Sequence, residues 1–186
     1  MSHFDKIVDR KGTSCFKWDT VEEGVYSFTI ADSDYEVPKE VKEALLKRVE
    51  HGIFGYTVVP NSYYEAVINW CMKRYGFSIE KDDIIIMNKV LESISLLINL
   101  YTEEGDKIVI NPPVYPPFFA LTEGNKRVLS SNHLINDNEH YSLDLEDLES
   151  KFKEGAKMYI LCNPHNPVGK IYTKAEIEAI VRLCNK

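Results

Sequence analysis

The sequence lacks a Cys-x-x-Cys pair, a glycine-rich phosphate motif and any apolar run of membrane-spanning length. Cys15, Cys71, Cys162 and Cys184 lie far apart, which argues against a zinc site or a disulfide scaffold and suits a reducing cytoplasm. Without Gly-x-Gly-x-x-Gly or a Walker A segment, a nucleotide ligand is disfavoured. Positive charge is in deficit: 22 Lys and Arg against 29 Asp and Glu give a formal net charge of -7. Nucleic acid needs a basic footprint, and neither the five His nor the Lys gather into one. The N-terminus also carries no secretory apolar core. The expectation is a cytoplasmic protein that engages neither nucleic acid nor membrane and holds no metal.

What is present is ordinary globular composition, 44% hydrophobic and 27% charged over 186 residues, enough for one domain or one and a half. The first 37 residues read as an irregular arm, with one alternating strand candidate at 26–30 and a turn at Ala31-Asp32-Ser33-Asp34. Pro38 suits a helix start, with Val41, Ala44, Leu45 and Val49 as its apolar stripe and Gly52 as its stop. Ser62 and Glu65 have capping-box spacing for a second helix carrying Val67, Ile68, Cys71 and Tyr75 inward.

From residue 80 strands and helices alternate. The run Ile84–Met87 reads as a strand buried on both faces. Further strands are expected at 107–110, 127–130 and 158–162, and helices from Val90, before Gly124, from Asp144 to Phe152, and after a Thr173–Glu176 capping box. The segment 132–142 reads as a polar surface loop. Short connections between alternating elements predict an α/β fold, a mainly parallel, doubly wound sheet with helices on both faces. A further strand is expected after the last helix, so the sequence reads as the N-terminal, truncated portion of such a fold.

Ligands of such sheets bind beyond the carboxyl ends of the strands, and three loops are expected there. Residues 88–92 enter a helix N-terminus, whose free N–H groups near Val90 and Leu91 suit a phosphate, although every strand–helix turn offers such donors. Residues 111–118 hold Tyr115 among four prolines, an aromatic platform or a core residue. Residues 162–170, Cys-Asn-Pro-His-Asn-Pro-Val-Gly-Lys, form a stiff turn in which each proline holds its predecessor extended. There Asn166 can donate to a ligand oxygen, while Asn163 can satisfy backbone groups. Phosphate seat, platform and donor together suit a small planar phosphorylated ligand.

The segment Asn163-Pro164-His165-Asn166-Pro167-Val168-Gly169-Lys170 resembles the Asn-Pro-x-Asn-Pro-Thr-Gly motif of fold-type I pyridoxal-phosphate enzymes, the class I/II aminotransferase superfamily. Within it, Pro113–Phe119, His51–Tyr56 and Phe28–Tyr35 are similar to the cystathionine β-lyase branch, the MalY/PatB-type C–S lyases. The resemblance covers nearly the whole chain in the family's order. It implies pyridoxal 5'-phosphate as cofactor, with Tyr115 stacked on its ring, Asn166 on its phenolic oxygen and the N–H groups of Val90 and Leu91 on its phosphate. It implies that Tyr56 reaches the phosphate of a neighbouring subunit, hence a homodimer with shared active sites, and that Ala31 and Asp32 line the substrate entrance. Two positions depart from the pattern: Lys89 stands where a small residue is usual, and Val168 replaces threonine.

The resemblance also implies that the Schiff-base lysine lies downstream, so no catalytic residue is expected within this chain; Lys89 and Lys170 match other roles. Residues 1–50 would form the arm and part of the small domain, and 51–186 the first part of the large cofactor-binding domain. The implied activity of the full-length parent is β-elimination from cystathionine- or cysteine-type amino acids, releasing thiol, pyruvate and ammonia. An aminotransferase on the same scaffold is the alternative. A reading of another class is an inactive truncated fragment, whose bare strand edge at 158–162 would favour aggregation.

Overall fold

A computed structural model describes residues 3–138 and 140–185. The expectation about the chain end at Lys186, and residue 139 of the expected polar loop, lie outside the described residues. The chain divides into two compact units, Met1–Tyr63 and Tyr64–Lys186.

The first unit is mostly irregular, with short helix α1 (Phe16–Asp19) and a longer helix α2 (Lys39–Glu50). Charge organises its arm. Asp34 accepts from Arg10 at 2.6 Å and from the Trp18 indole at 2.7 Å, and also pairs with Lys17, while Arg10 bridges to Asp32. Lys17, Trp18 and Arg10 together hold the Asp34 carboxyl well below the usual carboxylate range. The turn aspartates are thus ion-pair partners as well as turn formers. Pro38 is the N-cap of α2 rather than its first residue, and Gly52 ends the helix at a φ of 73°, where glycine alone is unstrained.

Two expectations fail in this unit. Residues 26–30 form no strand, because among the described residues no neighbour completes a ladder; Ser27 is buried while Tyr26 and Phe28 are exposed. The α2 stripe of Val41, Ala44, Leu45 and Val49 has the right spacing but is exposed. Periodicity marks an apolar face and says nothing about what covers it.

The second unit carries most of helix α3 (Asn61–Tyr75), which starts one residue before the expected cap, so Ser62 lies inside the helix. Val67, Ile68 and Cys71 are half-buried and Tyr75 is exposed. Then come α4 (Val90–Tyr101), β1 (Lys107–Ile110), α5 (Pro117–Gly124), β2 (Val128–Ser131), β3 (Ile135–Asn136), β4 (Tyr141–Ser142), α6 (Leu145–Lys153), β5 (Ala156–Tyr159) and α7 (Lys174–Cys184). The strands β2, β1 and β5 form a parallel sheet in that order. Alternation along β1 sends Ile108 and Ile110 to one face, with Ile98 of α4 and Phe118 of α5, and Val109 to the other, with Leu148 of α6 and Ile180 of α7. Helices therefore cover both faces, as doubly wound folds require.

The caps expected at Asp144 and Thr173 are formed, unlike the one expected at Ser62. Asp144 accepts from the Asp147 N–H at 2.9 Å, and Thr173 and Glu176 make a reciprocal box on α7. The expected polar loop at 132–142 instead contains the hairpin of β3 and β4, and Asn132 and Leu134 are buried. Two-residue strands are too short to show a period, and Asn132 goes inside because its amide reaches the Asp144 carbonyl and the Asp147 carboxylate. Ile84–Met87 pairs with no strand among the described residues, and Ile85 is 84% exposed. A parallel strand takes its partners from distant sequence, which a local apolar run cannot specify.

Candidate functional site

Adjacent strands β1 and β5 are followed by helices on opposite faces, α5 on one and α7 on the other. The crevice beyond the carboxyl ends of such a strand pair is where open α/β sheets bind ligands. The loops that leave β1 and β5 meet there. Leu91 at the start of α4, Tyr115 and Cys162 pack against one apolar cluster around Ile98, Ile110 and Phe118. A cavity of about 490 Å³ opens beside it, lined among others by Val90, Phe118, Cys162, Asn163 and Pro164.

The loop after β5 is held at several points. The His165 N–H donates to the Lys170 carbonyl and the Gly169 N–H to the His165 carbonyl, both at 2.7 Å. Gly169 takes a φ of 72°, which a side chain would strain. The Asn163 side-chain oxygen accepts from the Tyr172 N–H at 3.3 Å, so Asn163 serves the backbone as expected. Lys170 pairs with Glu176 at 2.8 Å and lies over the Tyr172 ring. Burial opposes the Glu176 charge, but Lys170 and Thr173 outweigh it and hold the carboxyl below its ordinary value. Lys170 is therefore committed to fixing the loop on α7.

Asn166 differs from Asn163. It is exposed, its backbone N–H turns back to the Cys162 sulfur at 3.4 Å, and among the described residues its side-chain amide has no hydrogen-bond partner. Tyr115 is half-buried, its ring edge-on to Phe118 with centroids 5.6 Å apart. At α4 the first helical bond runs from the Ser93 N–H to the Lys89 carbonyl at 3.2 Å. The N–H groups of Val90 and Leu91 lie before it and have no acceptor within the helix. Lys89 is the exposed N-cap with an extended backbone. The dipole and the helix-end donors thus coincide here, with a lysine as the N-cap residue.

Three predicted residues belong to the first unit. Tyr56 is fully exposed, and Ala31 and Asp32 lie on the exposed turn, where the Asp32 carboxylate is already paired with Arg10. That unit has a larger cavity, about 620 Å³, lined by Phe4, Arg10, Trp18, Asp34 and Tyr35 among others. Within its lining Arg10 and Asp34 are paired with each other.

Sequence reasoning missed the buried polar groups beneath the loops. Asn111 donates to Asn132 at 2.7 Å and accepts from the Tyr159 hydroxyl, whose pKa burial pushes up. His165 is 1% exposed and joins Pro113 to Tyr172. No local signal marks these residues: Asn111 and Asn132 stand 21 positions apart, and His165 and Pro113 52. The peptide bonds before Pro113, Pro164 and Pro167 are cis.

The model of the aminotransferase class I and II family matches residues 23–186. The chain is 36% identical over 189 residues to the cystathionine beta-lyase PatB of Bacillus subtilis, covering 98% of this chain and 49% of that protein. It is 33% identical over 193 residues to the protein MalY of Escherichia coli, covering all of this chain and 50% of the other. The crystal structure of the PLP-bound C–S lyase from Staphylococcus hominis superposes with a TM-score of 0.88 at 29% identity, over 98% of this chain and 48% of that one. The chain thus spans about half the length of the curated relatives it matches. Among the described residues, no helix is long and apolar enough to cross a membrane.

Proposed function

We propose a function from one premise: the chain belongs to the aminotransferase class I and II family, by the match over residues 23–186. The activity proposed, for a protein of the relatives' full length, is carbon–sulfur β-elimination from cystathionine- or cysteine-type amino acids with pyridoxal 5'-phosphate. Its products are a thiol, pyruvate and ammonia. Similarity to the cystathionine beta-lyase PatB and to the C–S lyase structure supports this choice within the family.

One observation carries the cofactor assignment. Tyr115, half-buried, and Leu91 pack on one apolar cluster, and Val90 lines the cavity beside it with Cys162, Asn163 and Pro164. The exposed Asn166 amide, without a partner among the described residues, follows in the same loop as Asn163, so a ring, helix-end N–H groups and an amide stand on neighbouring loops. Those groups match a phenolic oxygen, an aromatic ring and a phosphate, so the residues present fit the group. In this reading Tyr115 stacks on the ring, Asn166 donates to the phenolic oxygen, and Val90 and Leu91 hold the phosphate. Lys89 adds charge at the same helix end. Bound there, the cofactor supplies an electron sink for the charge left when the substrate's α-proton is removed. The chain's own part is to grip, orient and exclude water.

Residues 1–50 are assigned to the arm and part of the small domain, and 51–186 to the first part of the large domain. Tyr56, fully exposed, is assigned to the phosphate of a neighbouring subunit in a homodimer, and Ala31 and Asp32 to the substrate entrance. A cytoplasmic location goes with the unpaired cysteines. The test is incubation of the full-length protein with L-cystathionine, measuring pyruvate and keto-acid exchange in parallel. Pyruvate with thiol release is expected. Amino-group transfer to a keto acid without pyruvate would replace the lyase by the aminotransferase.

A further inference from the structure

We propose that His165 is a positioning residue, a strut that sets the spacing between the loop carrying Tyr115 and the loop carrying Asn166. The role rests on the cofactor reading above, because only then do those two side chains grip one ligand.

The geometry is that of a clamp. Nε2 of His165 lies 3.0 Å from the Pro113 carbonyl and Nδ1 lies 3.1 Å from the Tyr172 hydroxyl. A carbonyl only accepts, so Nε2 is the donor to Pro113; in the tautomer with its proton on Nε2, Nδ1 accepts from the Tyr172 hydroxyl. Burial pushes the Tyr172 phenol up to about 12, which keeps that donor protonated. His165 is 1% exposed and Tyr172 5%, so neither bond competes with bulk water.

Sequence distance makes the clamp useful. Pro113 is two residues from Tyr115, and His165 directly precedes Asn166. The side-chain bond therefore spans 52 positions and ties the aromatic platform to the amide donor through a single ring. The backbone of His165 is fixed as well, by its bonds to Lys170 and Gly169. Tyr172 in turn abuts Thr173, the N-cap of α7, so the strut is anchored on a helix of the sheet's other face. Holding ligand groups to a fraction of an ångström requires such supporting bonds.

The test compares His165→Phe, His165→Gln and Tyr172→Phe in the full-length protein. Phenylalanine keeps a flat ring and loses both bonds; glutamine restores the donor to Pro113 in a milder change; Tyr172→Phe removes only the hydroxyl. Without cofactor, amide hydrogen exchange of His165→Phe is expected to rise together in residues 114–118 and 166–170 while α6 and β2 keep their protection. With pyridoxal phosphate, affinity is expected to fall about tenfold, the loss that one hydrogen bond represents, and the bound cofactor's absorbance maximum to shift. Glutamine should recover part of both effects, and Tyr172→Phe should show a smaller version. Unchanged exchange in either loop, or an affinity and absorbance equal to the parent's, would overturn the strut. Coupled exchange in a parent that binds no pyridoxal phosphate would instead overturn the cofactor reading, and with it the role assigned to the strut.

Discussion

Asn163 and Asn166 have the same side chain, each precedes a proline, and they stand three residues apart; replacing each by alanine should nevertheless do different things. Asn163→Ala removes the acceptor for the Tyr172 N–H, and Tyr172 is buried, so a donor is left unpaired. One such loss costs about 1 kcal/mol, and for a chain of 186 residues that lowers Tm by about 2–4 °C. Asn166→Ala removes an exposed amide with no partner among the described residues, and such surface changes stay within about 0.5 kcal/mol. In the full-length protein the order reverses. A donor to a charged ligand oxygen is worth about 1.5–3 kcal/mol, so Asn166→Ala should weaken pyridoxal phosphate binding by about tenfold or more. Thermal unfolding followed by circular dichroism measures the first effect, and cofactor titration by absorbance the second. If Asn166→Ala melts as early as Asn163→Ala while cofactor affinity stays unchanged, the division of labour is wrong.

Other residues yield sharper tests of the fold. Arg127 is buried and donates to the Thr102 carbonyl, the Thr102 hydroxyl and the Asn125 carbonyl, at the carboxyl ends of α4 and α5. Arg127→Met strands those acceptors and should cost about 2–4 kcal/mol in urea unfolding, with Arg127→Lys recovering part by keeping a cation at the helix ends; equal losses would refute the mechanism. The hydrogen bond from Asn132, with Lys151 assisting against burial, lowers the Asp147 carboxyl. Its folded-state value lies below its unfolded one, so its contribution is complete above about pH 4 and is lost as pH falls through the folded value. The stability gap between the parent and Asp147→Asn should therefore close in acid, and a gap independent of pH would rule this out. Finally, β5 is an edge strand among the described residues, so the 186-residue chain by itself should self-associate as concentration rises in sedimentation velocity; a monomer at every concentration would show that edge to be protected.

Most elements with a local cause were legible, the Ser62 box excepted, and those with a distant one were not. The Thr173 box, the Asp144 cap and the stop at Gly52 each rest on a few neighbouring residues, and all three are formed. Strand β1 was legible because both its faces are covered, which demands a continuous apolar run. The run at 84–87 is as apolar yet has no ladder among the described residues, because a parallel strand borrows its partners from afar. The sequence places Arg127 at the start of a strand; its position is set instead by two helix ends, α4 and α5, that only the tertiary fold brings together.

At the site the same rule separates the groups proposed to face a ligand from those that hold them in place. Tyr115, Asn166, Val90 and Leu91 are proposed from local sequence alone, each in a loop or turn that leads into a helix. His165 and Tyr172 were illegible because a buried polar pair is justified by what it joins. The motif around Asn166 therefore does two jobs at once. Its prolines and glycine shape a loop that would be stiff in isolation, and its histidine binds that loop to one that begins 50 residues earlier. A ligand grip assembled from separate loops needs the second job as much as the first, since stiffness alone fixes each loop and leaves their spacing free.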